Sequence, residues 1–222
     1  MNKLNDIYVI NLEYAKDRLN NIDKSFKNNN LKYNVFKAID GKKLIVIPQY
    51  FHPKLLRSYA LQNLNNYGGS IACSLSHYSL WKKIDEYNEY NDMSNILILE
   101  DDSTFDGLFK ERIEYYTSKL PQDWDILYLG RKYLTGKQVG KYFIKGGKTD
   151  KKGYNASSFA YVIRKKSCKK LCNIIYPLKE LEQDLTLRQN MDKFNAYFLI
   201  NPIVTRNNFK SCISMNNMNN RW

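Results

Sequence analysis

Three consecutive acids, Glu100, Asp101 and Asp102, follow directly on the apolar run Ile96-Leu97-Ile98-Leu99. Such a run predicts a short strand buried on both faces. A core strand that ends in acids puts negative charge at the carboxyl edge of a sheet, where open α/β sheets bind ligands. Three crowded carboxylates repel one another unless a cation or hydrogen-bond donors compensate. Mg²⁺ or Mn²⁺ does so with oxygen ligands, and such ions commonly hold substrate phosphates too. The same triplet also suits a solvated acidic turn.

The elements that must hold this stretch follow from periodicity. Residues 7–12 predict a first strand. A helix from about Ala15 carries Leu19, Ile22 and Phe26 on one face and stops at Asn28-Asn29-Asn30. Residues 33–39 form a second strand, closed by Asp40-Gly41, which gives a β-α-β opening. Residues 42–66, with Pro48, His52 and Pro53, read as a loop with one short helix. Ser70 is the expected N-cap of the next helix. Gly68 and Gly69 before it allow a backbone or a phosphate to come close. Ile71, Leu75, Tyr78, Trp81 and Ile84 share one face of that helix, and Cys73, Ser76, His77 and Leu80 form an adjacent stripe.

Beyond the acids, a helix over 108–120 is ended by Pro121, and 125–129 is a buried strand. Residues 131–153, rich in Gly and Lys, read as a mobile loop, either a lid that closes over a ligand or equally a disordered surface loop. A strand at 159–163, a helix at 165–175, a helix at 181–194 and a strand at 196–200 complete the pattern. Glu182 and Asp184 sit near the start of the second of those helices. The expectation is one domain over residues 1–210 with a flexible tail at 211–222.

A chain of 222 residues with 43% hydrophobic and 14% aromatic residues is globular in composition. It buries about 70% of its unfolded surface. The net charge of +13 favours anionic partners. The lysines are spread along the chain, however, and no nucleic-acid motif appears, so no specific nucleic acid is expected. Cys73, Cys168, Cys172 and Cys212 show neither a CxxC pair nor zinc spacing. No signal peptide and no apolar run of about 20 residues is present, so a cytoplasmic location is expected, with peripheral membrane association open.

Six motifs in order resemble glycosyltransferase family 25, the lipopolysaccharide-biosynthesis and collagen β-galactosyltransferase family. They are Val9-Ile10-Asn11-Leu12 with Arg18, Ala38-Ile39-Asp40-Gly41, Cys73/Ser76/His77/Trp81, Ile98-Leu99-Glu100-Asp101-Asp102, Trp124-Asp125 with Leu127-Tyr128-Leu129-Gly130, and Ala160-Tyr161-Val162-Ile163. The resemblance covers roughly residues 7 to 200. It implies a GT-A-like, Rossmann-type α/β fold: a mixed, mostly parallel central sheet flanked by helices. It also implies inverting transfer of a hexose, galactose or glucose, from a UDP-sugar, with Mn²⁺ or Mg²⁺. The acceptor would be a glycan, a lipid-linked sugar or a protein hydroxyl such as hydroxylysine.

In that light Asp101 and Asp102 are the candidate metal ligands, with Glu100 as ligand or support. Asn11, Leu12, Arg18, Asp40 and Ser76 are candidates for donor contact. Asp184 is the candidate base, with Glu182 behind it, and His77 faces the metal, a phosphate or the acceptor. A non-catalytic anion-binding or nucleic-acid-binding α/β domain, or a donor-binding relative that does not transfer, is the alternative.

Overall fold

The computed structural model describes residues 3–58, 61–131, 133–151, 154–155, 158–207 and 209. The expected tail at 211–222 lies outside the described residues. Strand β1 (Leu4–Asn11), helix α1 (Lys16–Asn28) and strand β2 (Asn34–Lys37) open the chain as its periodicity predicts. The irregular stretch holds 3₁₀ turns at Pro48–Tyr50 and Asn65–Tyr67, with short helices α2 (Pro53–Ser58) and α3 (Leu61–Leu64) between them. Helix α4 (Gly68–Glu86) leads to β3 (Asn95–Glu100), the two-residue strand β4 (Ser103–Thr104) and α5 (Phe109–Lys119). Then come β5 (Ile126–Tyr128), β6 (Gly136–Val139), β7 (Phe143–Gly146) and β8 (Ala160–Arg164). Helices α6 (Lys165–Ile175) and α7 (Gln183–Gln189) and strands β9 (Ala196–Leu199) and β10 (Thr205–Arg206) end the described fold.

Eight strands form one sheet in the order β2-β1-β3-β8-β5-β9-β7-β6. β1 pairs in parallel with β2 and β3, and β5 with β9. β8 runs antiparallel to β3 and β5, and β7 to β9 and β6. Only β8 and β7 therefore oppose the common direction, so the sheet is mixed and mostly parallel. The alternation of β3 splits the core. Ile96 and Ile98 face α4 and α6, packing with Leu80, Trp81, Cys168 and Leu171. Leu97 and Leu99 face α1 and α5, packing with Ile22, Phe26, Phe109 and Ile113. All four strand residues are fully buried, each contributing about 1.5–3 kcal/mol of burial energy. Among the described residues no helix is long and apolar enough to cross a membrane.

Three expectations need correction. Residues 136–146, expected to be mobile loop, form the hairpin β6–β7 on the sheet's edge. That hairpin buries only Phe143 among its strand residues, so it carries no hydrophobic alternation to read. The helix expected over 181–194 shortens to α7, because the chain turns after Gln189. Ser70 is no N-cap: α4 starts at Gly68 with Tyr67 at the cap position, and Ser70 is buried inside the first turn.

Candidate active site

The parallel register of β1 and β3 sets Ile10 opposite Glu100. Asn11 and Asp101 are therefore neighbours at the carboxyl edge. Asn11 donates its amide N–H to Asp101 Oδ2 at 2.8 Å and to the Ala15 carbonyl at 3.2 Å. Arg18, in the first turn of α1, reaches Asp101 Oδ1 at 2.6 Å and Asp102 Oδ2 at 3.1 Å. A second arginine comes from the far end of the chain. β10 pairs antiparallel with β4 directly after the acids, and the Asn207 N–H donates to the Asp102 carbonyl at 2.8 Å. Arg206 thereby donates Nε–H to Asp102 Oδ2 at 3.1 Å and Nη2–H to Glu100 Oε2 at 2.9 Å.

Three formal negative charges thus face two positive ones. Burial pushes the Asp101 carboxyl up to about 6, against Arg18 and Asn11, with Asp102 and Glu100 adding to the rise. Asp102 is raised as well, first by burial and then by Glu100. For Glu100 burial is outweighed by His77, Arg206 and Arg18, which bring it down to about 2. Both oxygens of Asp101 have partners, whereas Asp102 Oδ1 is buried without a hydrogen-bond partner. An oxygen-only donor set with residual negative charge and an open carboxylate oxygen fits a hard divalent cation such as Mn²⁺ or Mg²⁺.

The opposite wall comes from α4 and α7. Ser74 Oγ accepts the Gln183 N–H at 2.9 Å and contacts the Leu181 carbonyl at 2.9 Å, which pins the start of α7 to α4. Glu182 and Asp184 flank the clasped residue Gln183 at the start of α7. The thiol of Cys73 is raised well above its ordinary value, first by burial and then by the fields of Glu100, Asp184 and Glu182. Asp184 also raises the Tyr128 phenol, after burial. It therefore lies between the end of β5 and α4. His77 is fully buried. Its Nδ1 lies 2.8 Å from the Tyr161 hydroxyl, which also accepts the Trp81 indole N–H at 2.8 Å. Its Nε2 lies 3.5 Å from Glu100 Oε1.

The structure thus gathers Asn11, Arg18, His77, Glu100, Asp101 and Asp102 about one edge, and Glu182 and Asp184 act on the Cys73 thiol beside it. It leaves others aside. Asp40 accepts the Lys42 N–H at 2.9 Å, which is Asp-Gly turn chemistry. Ser76 Oγ donates to the Ala72 carbonyl and accepts the Ile39 N–H, tying α4 to the end of β2. The Leu12 carbonyl accepts the Ala15 N–H that starts α1. Beside the acids a cavity of about 440 Å³ is lined by Asn11, Glu13, Lys16, Leu19, Val35 and Lys37 among others. Arg206 has no sequence signal, and Tyr161 stands in the motif Ala160-Tyr161-Val162-Ile163 with nothing there to mark it as the partner of His77. Each reaches the site only through pairing with a distant strand.

Comparison with known proteins bears on the family of the chain. Procollagen galactosyltransferase 2 of Homo sapiens is 27% identical over 179 residues, covering 75% of this chain and 27% of that protein. The glycosyltransferase 25 family member of Anopheles gambiae is 31% identical over 181 residues, covering 76% and 28%. The chain thus spans little more than a quarter of these relatives' length. A solved apo-form glycosyltransferase, GlyE of Streptococcus pneumoniae TIGR4, aligns with 87% of this chain and 45% of its own at 17% identity and a TM-score of 0.39. The family model described as glycosyltransferase family 25 (LPS biosynthesis protein) matches residues 4–187, and the chain belongs to that family.

Proposed function

We propose that this chain transfers a hexose from a UDP-sugar to a hydroxyl acceptor, with inversion and with a divalent metal. The observation that carries the reading is Asp102 Oδ1. It is a buried, unpartnered carboxylate oxygen at the carboxyl edge of the sheet, beside a cavity that shares Asn11 with the acid cluster. Asp102 and Glu100 would hold the cation, with Asp101 behind them through Arg18 and Asn11. When bound, the ion neutralises charge on the departing diphosphate. The cavity beside Asn11 suits the nucleoside, and Lys16 and Lys37 on its wall suit the phosphates. Asp184, with Glu182 next to it, takes the proton of the acceptor hydroxyl. The oxygen then bonds to the anomeric carbon from the face opposite the leaving diphosphate.

The names of the relatives favour galactose as the sugar and a collagen-like hydroxyl as acceptor. The family's description leaves a lipopolysaccharide glycan as the other acceptor. Thermal unfolding with UDP, with Mn²⁺ and with both tests the site. At a hundredfold excess over Kd a ligand adds about 2.7 kcal/mol, or roughly 5–10 °C for a chain this long. The expected result is a rise that needs both ligands and is lost in Asp102→Asn. UDP-galactose and UDP-glucose would then be offered with each acceptor. No shift with either ligand, alone or together, would remove the donor site.

A further inference from the structure

The acid cluster has a second side. Glu100 turns Oε2 to Arg206 and Oε1 to His77, at 2.9 and 3.5 Å. On the His77 side the donor set changes character. Cys73 and His77 stand four residues apart on α4 and share one face of the helix. One ligand atom from each of Cys73, His77 and Glu100 lies within 4.8 Å of the other two. We propose that these three residues form a separate site for a soft or borderline divalent cation, Zn²⁺ above all, on the face of Glu100 turned away from Asp102.

Three observations carry this. The first is chemical type: thiolate, imidazole and carboxylate together match zinc, whereas Mn²⁺ and Mg²⁺ prefer oxygen alone. The second is His77 itself. It is wholly buried, and apart from the long 3.5 Å contact with Glu100 Oε1 its Nε2 has no hydrogen-bond partner. Its other nitrogen is fixed by Tyr161, which Trp81 holds in turn. Ligating histidines are held in this way, by a bond from the second nitrogen. As a ligand, His77 would carry its proton on Nδ1 and donate it to the Tyr161 oxygen. The third is size. Zinc bonds of about 2.0–2.3 Å place tetrahedral ligand atoms roughly 3.3–3.7 Å apart, so the cluster closes with a small side-chain adjustment. The fourth position stays open to water or a substrate oxygen.

Binding replaces the thiol proton of Cys73 with the ion and releases that proton to solvent. Because Glu100 belongs to both sides, the soft ion and the ion at Asp102 would communicate through one carboxylate.

The readout is the metal itself, so it is independent of sugar transfer. The reduced full chain would be titrated with Co²⁺, a spectroscopic stand-in for zinc. The expected result is a thiolate-to-cobalt charge-transfer band saturating at one equivalent and erased by Zn²⁺. Cys73→Ser should remove the band, while Asp102→Asn, Cys172→Ser and Cys212→Ser should keep it. Absence of the band, or its survival in Cys73→Ser, overturns the site. Crystals soaked in Zn²⁺ give a second reading that needs no variant. An anomalous peak among Cys73, His77 and Glu100 supports the proposal, and no peak there, or a peak only between Glu100 and Asp102, overturns it.

Discussion

Asp101 and Asp102 differ by one position yet have different surroundings, and this difference governs how each responds. Asp101 has Arg18 and Asn11 on its two oxygens and still titrates high, near 6, because burial dominates. A raised carboxyl binds its proton more tightly in the native state than in the unfolded chain. Its contribution to stability is therefore fullest below its ordinary 3.8 and declines as pH climbs through about 6. A divalent ion on the neighbouring carboxylates reverses that decline, because its positive charge favours the ionised form of Asp101. The gain in melting temperature from Mn²⁺ should accordingly be larger near about pH 7.5 than near about pH 5; an equal gain at both would detach Asp101 from the ion. Asp184, on the other wall, is expected to act on the acceptor and not on the donor. Asp184→Asn should lower kcat by about a hundredfold or more, the usual worth of a general base. The KM for the donor should stay within a few-fold, as steady-state kinetics would show. Unchanged kcat would move the base elsewhere. The acids were legible in sequence because they end an apolar run. The His77–Tyr161–Trp81 chain was not, because Tyr161 joins it only through the antiparallel register of β8.

The same contrast holds for the elements. β1, α1, β3, α5 and β8 were readable because each buries a full stripe or both faces. The β6–β7 hairpin was not, since an edge hairpin with one buried strand residue leaves no pattern. β10 is two residues long and exposed, yet it delivers Arg206 to Glu100 and Asp102. In the protein without metal this guanidinium shares with Arg18 the compensation that three crowded acids require. Its side chain is 47% exposed, so the pairing contributes only about 1 kcal/mol after screening. Arg206→Ala should lower the melting temperature without metal by about 2–4 °C. It should also increase the further rise produced by Mn²⁺, because the ion no longer competes with a resident cation. A smaller response to Mn²⁺ in the variant would instead assign Arg206 to holding the carboxylates in ligating geometry.

What joins the two walls into one molecule is a close approach of two backbones. Sequence alone left Gly68 and Gly69 as a place where either a phosphate or another chain segment comes near. In the fold the neighbour is the loop after β2. A Cβ on Gly41 would lie 2.6 Å from the carbonyl carbon and oxygen of Gly68 and from the Gly69 nitrogen. Backbone atoms cannot step aside as a flexible side chain can. The contact, together with the Ile39 N–H on Ser76 Oγ, seats the N-terminal half of α4 against the β1–β2 side of the sheet. That half of α4 carries Cys73, Ser74 and His77, and Ser74 in turn positions α7. A shift at Gly41 therefore reaches Glu182 and Asp184 without touching either. Gly41→Ala should cost about 1–3 kcal/mol, as overpacking does, and lower the melting temperature by about 2–4 °C for each kcal/mol. Gly107→Ala is the matched control, because nothing lies within 4 Å of the Cβ it would add. Paired melting curves decide the point. A loss confined to Gly41→Ala supports the backbone clamp, whereas equal melting temperatures for the two variants would show that α4 is seated by its core face alone.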